Sequence, residues 1–202
     1  TKIVESLVKN YKDKKISFKI FKVFKDQVHK CIACDVCPIS YGDSKQYRCI
    51  INNKDDFFKK NHEEIIDCDS FIFAAYSGTN FINIKTNYQQ FIERTRYLRR
   101  DDYLIGDKLV TSLILSEVNS NRNLHIRILT SLMRHHNILT KPILVFKNAN
   151  TYINLENIKK QFIDFCQTAL RVKKDPKKIN EYKPVGYEIS LEKFLQKKKG
   201  NS

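Results

Sequence analysis

The stretch SFIFAAYSGTNFINIKTNYQQFIERTRYL, residues 70–98, contains the clearest indication of a fold in this sequence. Residues 70–76 form a continuous apolar run, which is typical of a parallel strand that is covered on both faces. In the segment 84–98, one face at the helical period carries Tyr88, Phe91, Ile92 and Leu98. A buried strand that leads into an amphipathic helix predicts an α/β fold.

The same alternation of helix and strand continues on both sides of this stretch. The predicted elements are a helix over 1–12, a strand over 16–24, a helix that opens at Asp55-Asp56, strands over 108–115 and 143–146, and helices over 123–137 and 155–169. This order predicts a doubly wound parallel sheet, which binds ligands at the carboxyl ends of its strands. The loops expected there are 25–54, 76–84, 116–122 and 147–151.

The composition fits one α/β domain followed by a basic arm. The chain has 202 residues, of which 42% are hydrophobic, so it is long and apolar enough to bury a core. We predict a domain over 1–170 and a Lys-rich C-terminal arm over 171–202. The formal net charge of +15 is consistent with a phosphate-bearing partner, but the lysines are scattered, which favours a solvated surface. A nucleic-acid partner is not expected, because an aromatic-basic platform is missing.

Targeting signals and cysteine content indicate the cellular compartment in which the protein is expected. The sequence has no signal-peptide pattern, and its longest apolar stretch, 71–76, is far shorter than a membrane span. Clustered cysteines without an export signal favour a reducing compartment, where thiols serve as metal ligands or redox groups. We therefore expect a cytoplasmic protein without membrane contact.

Three cysteines fall within the segment CIACDVCP, residues 31–38, and a fourth follows at position 49. Cys31, Cys34, Cys37 and Cys49 have the C-x2-C-x2-C spacing and the distant fourth cysteine that hold a [4Fe-4S] cluster. Zinc is an alternative, although zinc sites prefer two separated C-x2-C pairs. A third alternative is that these are plain thiols that pack the loop. Cys68 and Cys166 lie beside apolar elements and are expected in the core.

The charged residues near helix ends have two interpretations each. Asp55 and Asp56 are expected to cap a helix rather than to act as catalytic acids. His135-His136 are expected to cap the end of the helix over 123–137. A third group, expected on a solvated helix face with phosphate binding as the alternative, contains Arg94, Arg96, Arg99 and Arg100.

Three stretches together resemble a known family. They are CIACDVCP…RCIINNKDDF, FIFAAYSGTNFINIKTNYQQFIERTRYL and KLVTSLILSEVNSN…SLMRHHNI. The first leads from a cysteine cluster to a paired acid, and the second ends with Phe91, Glu93, Arg94 and Thr95 at the positions of a Phe-x-Asp-Arg motif. In these features the chain resembles the NAD(P)H-dependent FMN reductase and iron-sulfur flavoprotein family, whose members have a flavodoxin-like fold.

The resemblance implies an FMN-dependent NAD(P)H oxidoreductase or an electron-transfer flavoprotein, with NAD(P)H as electron donor. It implies the sheet order 2-1-3-4-5, a homodimer or homotetramer, and a cluster or thiols at the four cysteines. The residues that it places at the flavin are Thr1, Ser77, Gly78, Thr79, Asn80, Phe81, Ser116, Glu117 and Asn119. No protein acid or base is assigned a catalytic role.

The sequence also departs from the family. The expected first strand and its phosphate-binding loop are absent ahead of the helix over 1–12, so we expect residues before Thr1 in the natural protein. The loop at 77–81 lacks the usual Pro and Tyr, and the loop at 116–120 lacks glycine. These departures leave an alternative function open, that of a non-catalytic flavodoxin-like scaffold that binds a partner.

Overall fold

The structure is a computed structural model. It describes residues 2–23, 27–37, 48–51, 53–77, 81–99, 103–116, 122–148 and 151–175.

The described residues form a mixed α/β fold around an open and mostly parallel sheet. Its strands are β1 (Ser70–Ser77), β2 (Leu109–Ser116), β3 (Ile138–Leu139), β4 (Ile143–Asn148) and β5 (Thr151–Ile153). The order across the sheet is β1-β2-β4-β5, and the short β3 also pairs with β2. The pairs β1–β2, β2–β3 and β2–β4 are parallel, whereas β5 turns back antiparallel to β4. The predicted parallel α/β sheet is confirmed at this level.

Helices cover both faces of the sheet. They are α1 (Lys2–Lys9), α2 (Phe57–Asp67), α3 (Phe81–Arg94), α4 (Arg122–Met133) and α5 (Leu155–Lys174), with a 3-10 turn over Thr95–Leu98. The alternation of β2 shows the layers, because Leu109 and Leu113 pack among residues of α1 and α5. Val110 and Ile114 instead pack among residues of α3 and α4. We call these the first face and the second face of the sheet.

A third apolar cluster lies on the second face, beneath α2. It joins Phe57, Phe58, Ile65 and Ile66 of α2 to the 3-10 turn, and Phe71 of β1 packs against it. Phe71 also packs against the cluster of α3 and α4. The aromatic residues of β1 therefore connect the two cores of the second face.

The strand predicted over 16–24 is not formed among the described residues. Residues 16–22 have no regular secondary structure and belong to no ladder, and residue 24 lies outside the described part of the chain. A strand is defined by its hydrogen-bonded neighbour, and no described residue pairs with this segment. The order β1-β2-β4 among the described residues is compatible with the last three strands of the expected order 2-1-3-4-5, whereas the second strand of that order, expected over 16–24, pairs with no described strand.

Two other boundaries differ from the prediction. The helix α4 ends at Met133 rather than at residue 137, because His136 has a left-handed φ of 56° that a helix cannot accommodate. The helix α5 continues to Lys174, so the boundary predicted after residue 170 falls inside a helix. Among the described residues, no helix combines the length and the apolar character needed to cross a bilayer.

Candidate functional site

The carboxyl edge of the sheet is the first candidate site. β1 and β2 are paired in register along their whole length, so Ser77 lies opposite Ser116 where both strands end. Phe146 of β4 lies opposite Ser116 on the other side. The loops that follow β1 and β2 therefore leave the sheet from adjacent positions, which is where parallel α/β sheets bind ligands.

Only part of the predicted flavin-binding set lies in the described residues. Ser77 ends β1, Ser116 ends β2 and Phe81 begins α3. The other members lie outside the described residues: Thr1, Gly78, Thr79, Asn80, Glu117 and Asn119. Of the expected set, the structure thus places Ser77 opposite Ser116 at the ends of two adjacent strands.

The side chains near this edge offer aromatic surface. Tyr76 is 45% exposed near the end of β1, and Phe146 is 40% exposed on β4. Ser116 lies on β2, the strand between β1 and β4, and its side chain is buried. Because alternate residues of a strand point to opposite faces, Tyr76 lies on the first face and Phe146 on the second. Exposed aromatic rings at a ligand-binding edge suit a flat ring system.

The cysteine segment occupies a different position, beside α2. Cys34 is exposed, Cys31 and Cys49 are half-buried, and Cys37 is buried, and none of them is in a disulfide. The segment turns sharply, since Ala33 and Asp35 have positive φ angles of 50° and 53°. Both Cys37 and Cys49 contribute to the apolar cluster beneath α2.

A cubane cluster needs its thiolates to converge on one centre. The described residues, which include Cys31, Cys34, Cys37 and Cys49, contain no group of three or more His, Cys, Asp or Glu side chains arranged to hold a metal ion. The side chain of Cys37 instead packs with Phe57 and Phe58.

A buried ion pair lies directly beside Cys49. Arg94 at the end of α3 is 2% exposed, and its Nη2 donates to Asp56 Oδ1 at 2.9 Å. Its Nη1 donates to the Sγ of Cys49 at 2.6 Å. The guanidinium also lies 5.3 Å from the ring centre of Phe58. Arg94 thus fixes the cysteine segment and the start of α2 to the end of α3.

Asp56 has two roles in this cluster. It is the N-cap of α2, where Oδ1 accepts from the backbone N–H of Lys59 at 3.0 Å, as predicted for an acid at a helix start. Its Oδ2 accepts from the backbone N–H of His29 at 3.3 Å, which holds the segment leading to the cysteines. The capping prediction is confirmed, and the ion pair with Arg94 is an addition to it.

The prediction that Arg94 lies on a solvated face is wrong. Arg96, two residues further along the chain, is partly exposed and donates to Asp35 at 3.0 Å. Arg100 lies outside the described residues. The spacing of the arginines along the chain does not indicate which one is buried. The acid that pairs with Arg94 is Asp56, and the fold is what brings these two residues together.

The first of the two histidines after α4, His135, does not cap the helix as a cation. His135 is buried, and its Nε2 bonds Thr95 Oγ1 at 2.9 Å. Burial, with smaller contributions from Arg99 and His136, lowers the pKa of His135 to about 3, so the ring is neutral at pH 7. The expected dipole interaction is therefore wrong for His135. The ring of His136 stacks on Tyr103 with 3.8 Å between centroids.

The remaining cysteines agree with the core prediction to different degrees. Cys166 is 2% exposed in α5, and burial raises its pKa to about 12. Cys68 is half-buried at the end of α2, where burial raises its pKa and its backbone N–H donates to Glu64. Both are structural thiols rather than reactive ones.

Comparison with known proteins adds no assignment. No protein-family model matches the chain, and neither the curated proteins nor the solved structures contain a significant match.

Proposed function

We propose that the chain is an FMN-dependent NAD(P)H oxidoreductase or electron-transfer flavoprotein, with the flavin at the carboxyl edge of β1 and β2. The observation that supports this best is the register of the two strands, which ends both at the paired residues Ser77 and Ser116. The two loops that the family resemblance assigns to the flavin ring then start side by side. Flavin supplies the hydride acceptance and single-electron release, and the protein supplies the site.

The residues of this chain are assigned binding roles only. Tyr76 offers its ring to one side of the isoalloxazine, and Ser77 and Ser116 hold the loops that would border it. The net charge of +15 favours the approach of the FMN phosphate. No described side chain is given an acid or base role in the proposal.

The proposal does not extend to the iron-sulfur cluster. The described residues contain no group of three or more His, Cys, Asp or Glu side chains arranged to hold a metal ion, and Cys37 and Cys49 lie in apolar packing with Arg94 beside Cys49. The sulfur atoms of this segment are therefore assigned to packing, which was one of the three alternatives that the sequence left open.

Titration of FMN into the purified chain tests the flavin proposal. We expect bound FMN to lose fluorescence and to shift the visible absorption bands, and NADPH to bleach them in the absence of air. Y76A should weaken FMN binding roughly tenfold, because ring stacking contributes about 1–3 kcal/mol.

I163A is the matched control, since Ile163 is also exposed but lies on α5, and its FMN affinity should equal that of the unchanged chain. A colourless protein that takes up no added FMN would refute the proposal. Equal affinities for Y76A and the parent chain would remove Tyr76 from the site.

We also propose that the chain forms a homo-oligomer and that it works in the cytoplasm. Large apolar side chains are exposed on the β4–β5 side of the sheet at Leu144, Phe146 and Ile153, which is unusual for a surface that stays in water. The six free thiols support a reducing compartment. Light scattering after gel filtration should give a multiple of the chain mass, and F146E should reduce it to one chain. A monomer at all concentrations would contradict this part.

A further inference from the structure

The second face of β4 carries apolar side chains that no described helix covers. Ile143 and Val145 belong to the buried cluster of the first face. Leu144 and Phe146 alternate with them, so they point to the second face, where both are exposed. Ile153 of β5 lies opposite Phe146 in the register, shares its face and is exposed as well. A sheet face this apolar is normally covered by another layer.

The side of α4 that faces β4 is also apolar. α3 packs over β1 and α4 over β2, so β4 lies beyond α4 in the sheet order. Ser131 bonds the hydroxyl of Tyr88 on α3, which identifies the side of α4 that faces α3. At the helical period, Ile126 and Met133 lie on the opposite side of the helix, and both are more than half exposed. We call the apolar step between α4 and β4 the α4–β4 groove, and its members are Ile126, Met133, Leu144 and Phe146.

The C-terminal arm contains a sequence that fits such a groove. In residues 187–195, YEISLEKFL, the apolar residues at the helical spacing i, i+4, i+7 and i+8 are Tyr187, Leu191, Phe194 and Leu195. The other positions are polar or charged apart from Ile189, which falls on the opposite side of the helical period. Helices that dock in grooves use apolar anchors at this spacing. The segment itself lies outside the described residues.

The end of α5 lies close enough for this segment to reach the groove of its own chain. Lys173 Nζ lies 2.6 Å from Asp69, so α5 ends beside the amino end of β1. The connecting residues 176–186 span up to about 36 Å when extended. β4 is two strand spacings, or about 10 Å, from β1, and the helix layers of the two faces are about 20 Å apart. Because a tethered segment has a high effective concentration, its own groove is favoured over that of a second copy.

We propose that residues 187–195 pack as an amphipathic helix in the α4–β4 groove of their own chain, with the apolar stripe facing the groove. This helix would continue the second-face layer of α2, α3 and α4 over β4. The docked segment and the exposed β5 edge, at Ile153 and Leu155, would then form the surface for the proposed contact between copies. The inference depends neither on the flavin proposal nor on that contact.

NMR of the chain labelled with 13C-methyl methionine tests the proposal, because Met133 is the only methionine in the sequence. We expect F194E to shift the Met133 methyl signal and to increase its relaxation by a soluble nitroxide, since the added charge releases the segment from the groove. I189E is the matched control. Because Ile189 lies outside the apolar stripe, I189E should leave the position and the relaxation of the signal unchanged.

Amide hydrogen exchange tests the same contact from the groove. The amides of 187–195 should be protected in the parent chain, and I126E should abolish this protection. I163E is the control, because Ile163 is also exposed but lies on α5, and it should keep the protection. Both substitutions replace exposed side chains, so both variants should fold.

Three results would overturn the proposal. Equal effects of F194E and I189E on the Met133 signal would show that the stripe does not face the groove. Unprotected amides at 187–195 in the parent chain would show that the segment is not docked. Protection that is lost on dilution would show that the contact forms between two copies. A monomeric parent chain in which Met133 stays covered would contradict the proposed contact between copies and would support this inference.

Discussion

Arg94 connects three parts of the molecule that are distant in sequence. Its guanidinium bonds Asp56 at the start of α2 and Cys49 in the cysteine segment, and it lies over the ring of Phe58. Both members of the ion pair are buried, at 2% and 0% exposure. Such a pair is costly to break, because the partner left behind is an uncompensated buried charge.

We therefore expect R94M to reduce the free energy of unfolding by about 3–5 kcal/mol, since it leaves Asp56 buried without a cation. Urea denaturation followed by circular dichroism measures this change. R96M is the matched control. Because the Arg96–Asp35 pair is partly exposed, R96M should reduce the free energy of unfolding by less than about 1 kcal/mol. Equal losses for the two variants would show that Arg94 is not buried as described.

His135 makes the stability of the protein depend on pH. The folded state keeps the ring neutral down to about pH 3, whereas an unfolded histidine protonates near 6.5. The unfolded state therefore binds one more proton between these values, and stability decreases as the pH falls through this range. Between pH 7 and pH 5 the loss from His135 is about 2 kcal/mol.

Urea denaturation at several pH values between 5 and 7 tests this contribution. H135Q should lose the corresponding part of the pH dependence, whatever its stability at pH 7. H29Q is the control, because it replaces a histidine that lies near the surface beside Asp55 and Asn53. It should keep the part of the change in unfolding free energy between pH 7 and pH 5 that His135 contributes. A pH dependence that H135Q shares with the parent chain would contradict the burial of His135.

At the scale of elements, α5 closes the first face through a stripe at the helical period. Ile158, Phe162, Phe165 and Cys166 are buried, and Tyr11 and Phe18 pack their rings against Phe162. The next residue, Ile163, is 41% exposed. The helix thus provides two adjacent positions with opposite environments.

F162A should reduce the free energy of unfolding by about 3–5 kcal/mol, because it removes an aromatic ring from a packed cluster. I163A should change it by less than about 1 kcal/mol, since its side chain is largely in water. Thermal and urea unfolding of the two variants measure the difference. Similar values for both would mean that α5 is rotated relative to the described packing.

At the scale of the whole molecule, the three apolar clusters share the strands of one sheet. β2 contributes to the clusters on both faces, and Phe71 of β1 packs against both clusters of the second face. A chain whose cores share strands should unfold in one cooperative transition.

Thiol labelling in increasing urea tests this, because Cys166 reports on the first face and Cys37 on the cluster beneath α2. Both thiols should become reactive at the same urea concentration, and F162A should move both midpoints to the same lower value. The exposed Cys34 is the internal control and should react without urea. Labelling of Cys166 well before Cys37 would show that the clusters unfold separately.

Local patterns in the sequence predicted the type of most helices and strands that the described residues form. The apolar run at 70–76 became β1, and the stripes around Tyr88 and Phe162 became α3 and α5. These patterns are local, because the period of apolar residues follows from the geometry of one element against water. The Asp56 cap is local in the same way, since it needs only the first turn of its own helix.

Contacts between residues of different elements followed from the folded arrangement alone. Residues 16–23 have a strand pattern but pair with no described strand, because a ladder requires a neighbour in register. Arg94 pairs with the buried carboxylate of Asp56, whereas Arg96 pairs with the exposed carboxylate of Asp35. The spacing of Cys31, Cys34 and Cys37 suits a cluster, but convergence of sulfur atoms depends on packing around them. Contacts between distant segments are set by the whole fold, and periodicity along the chain does not encode them.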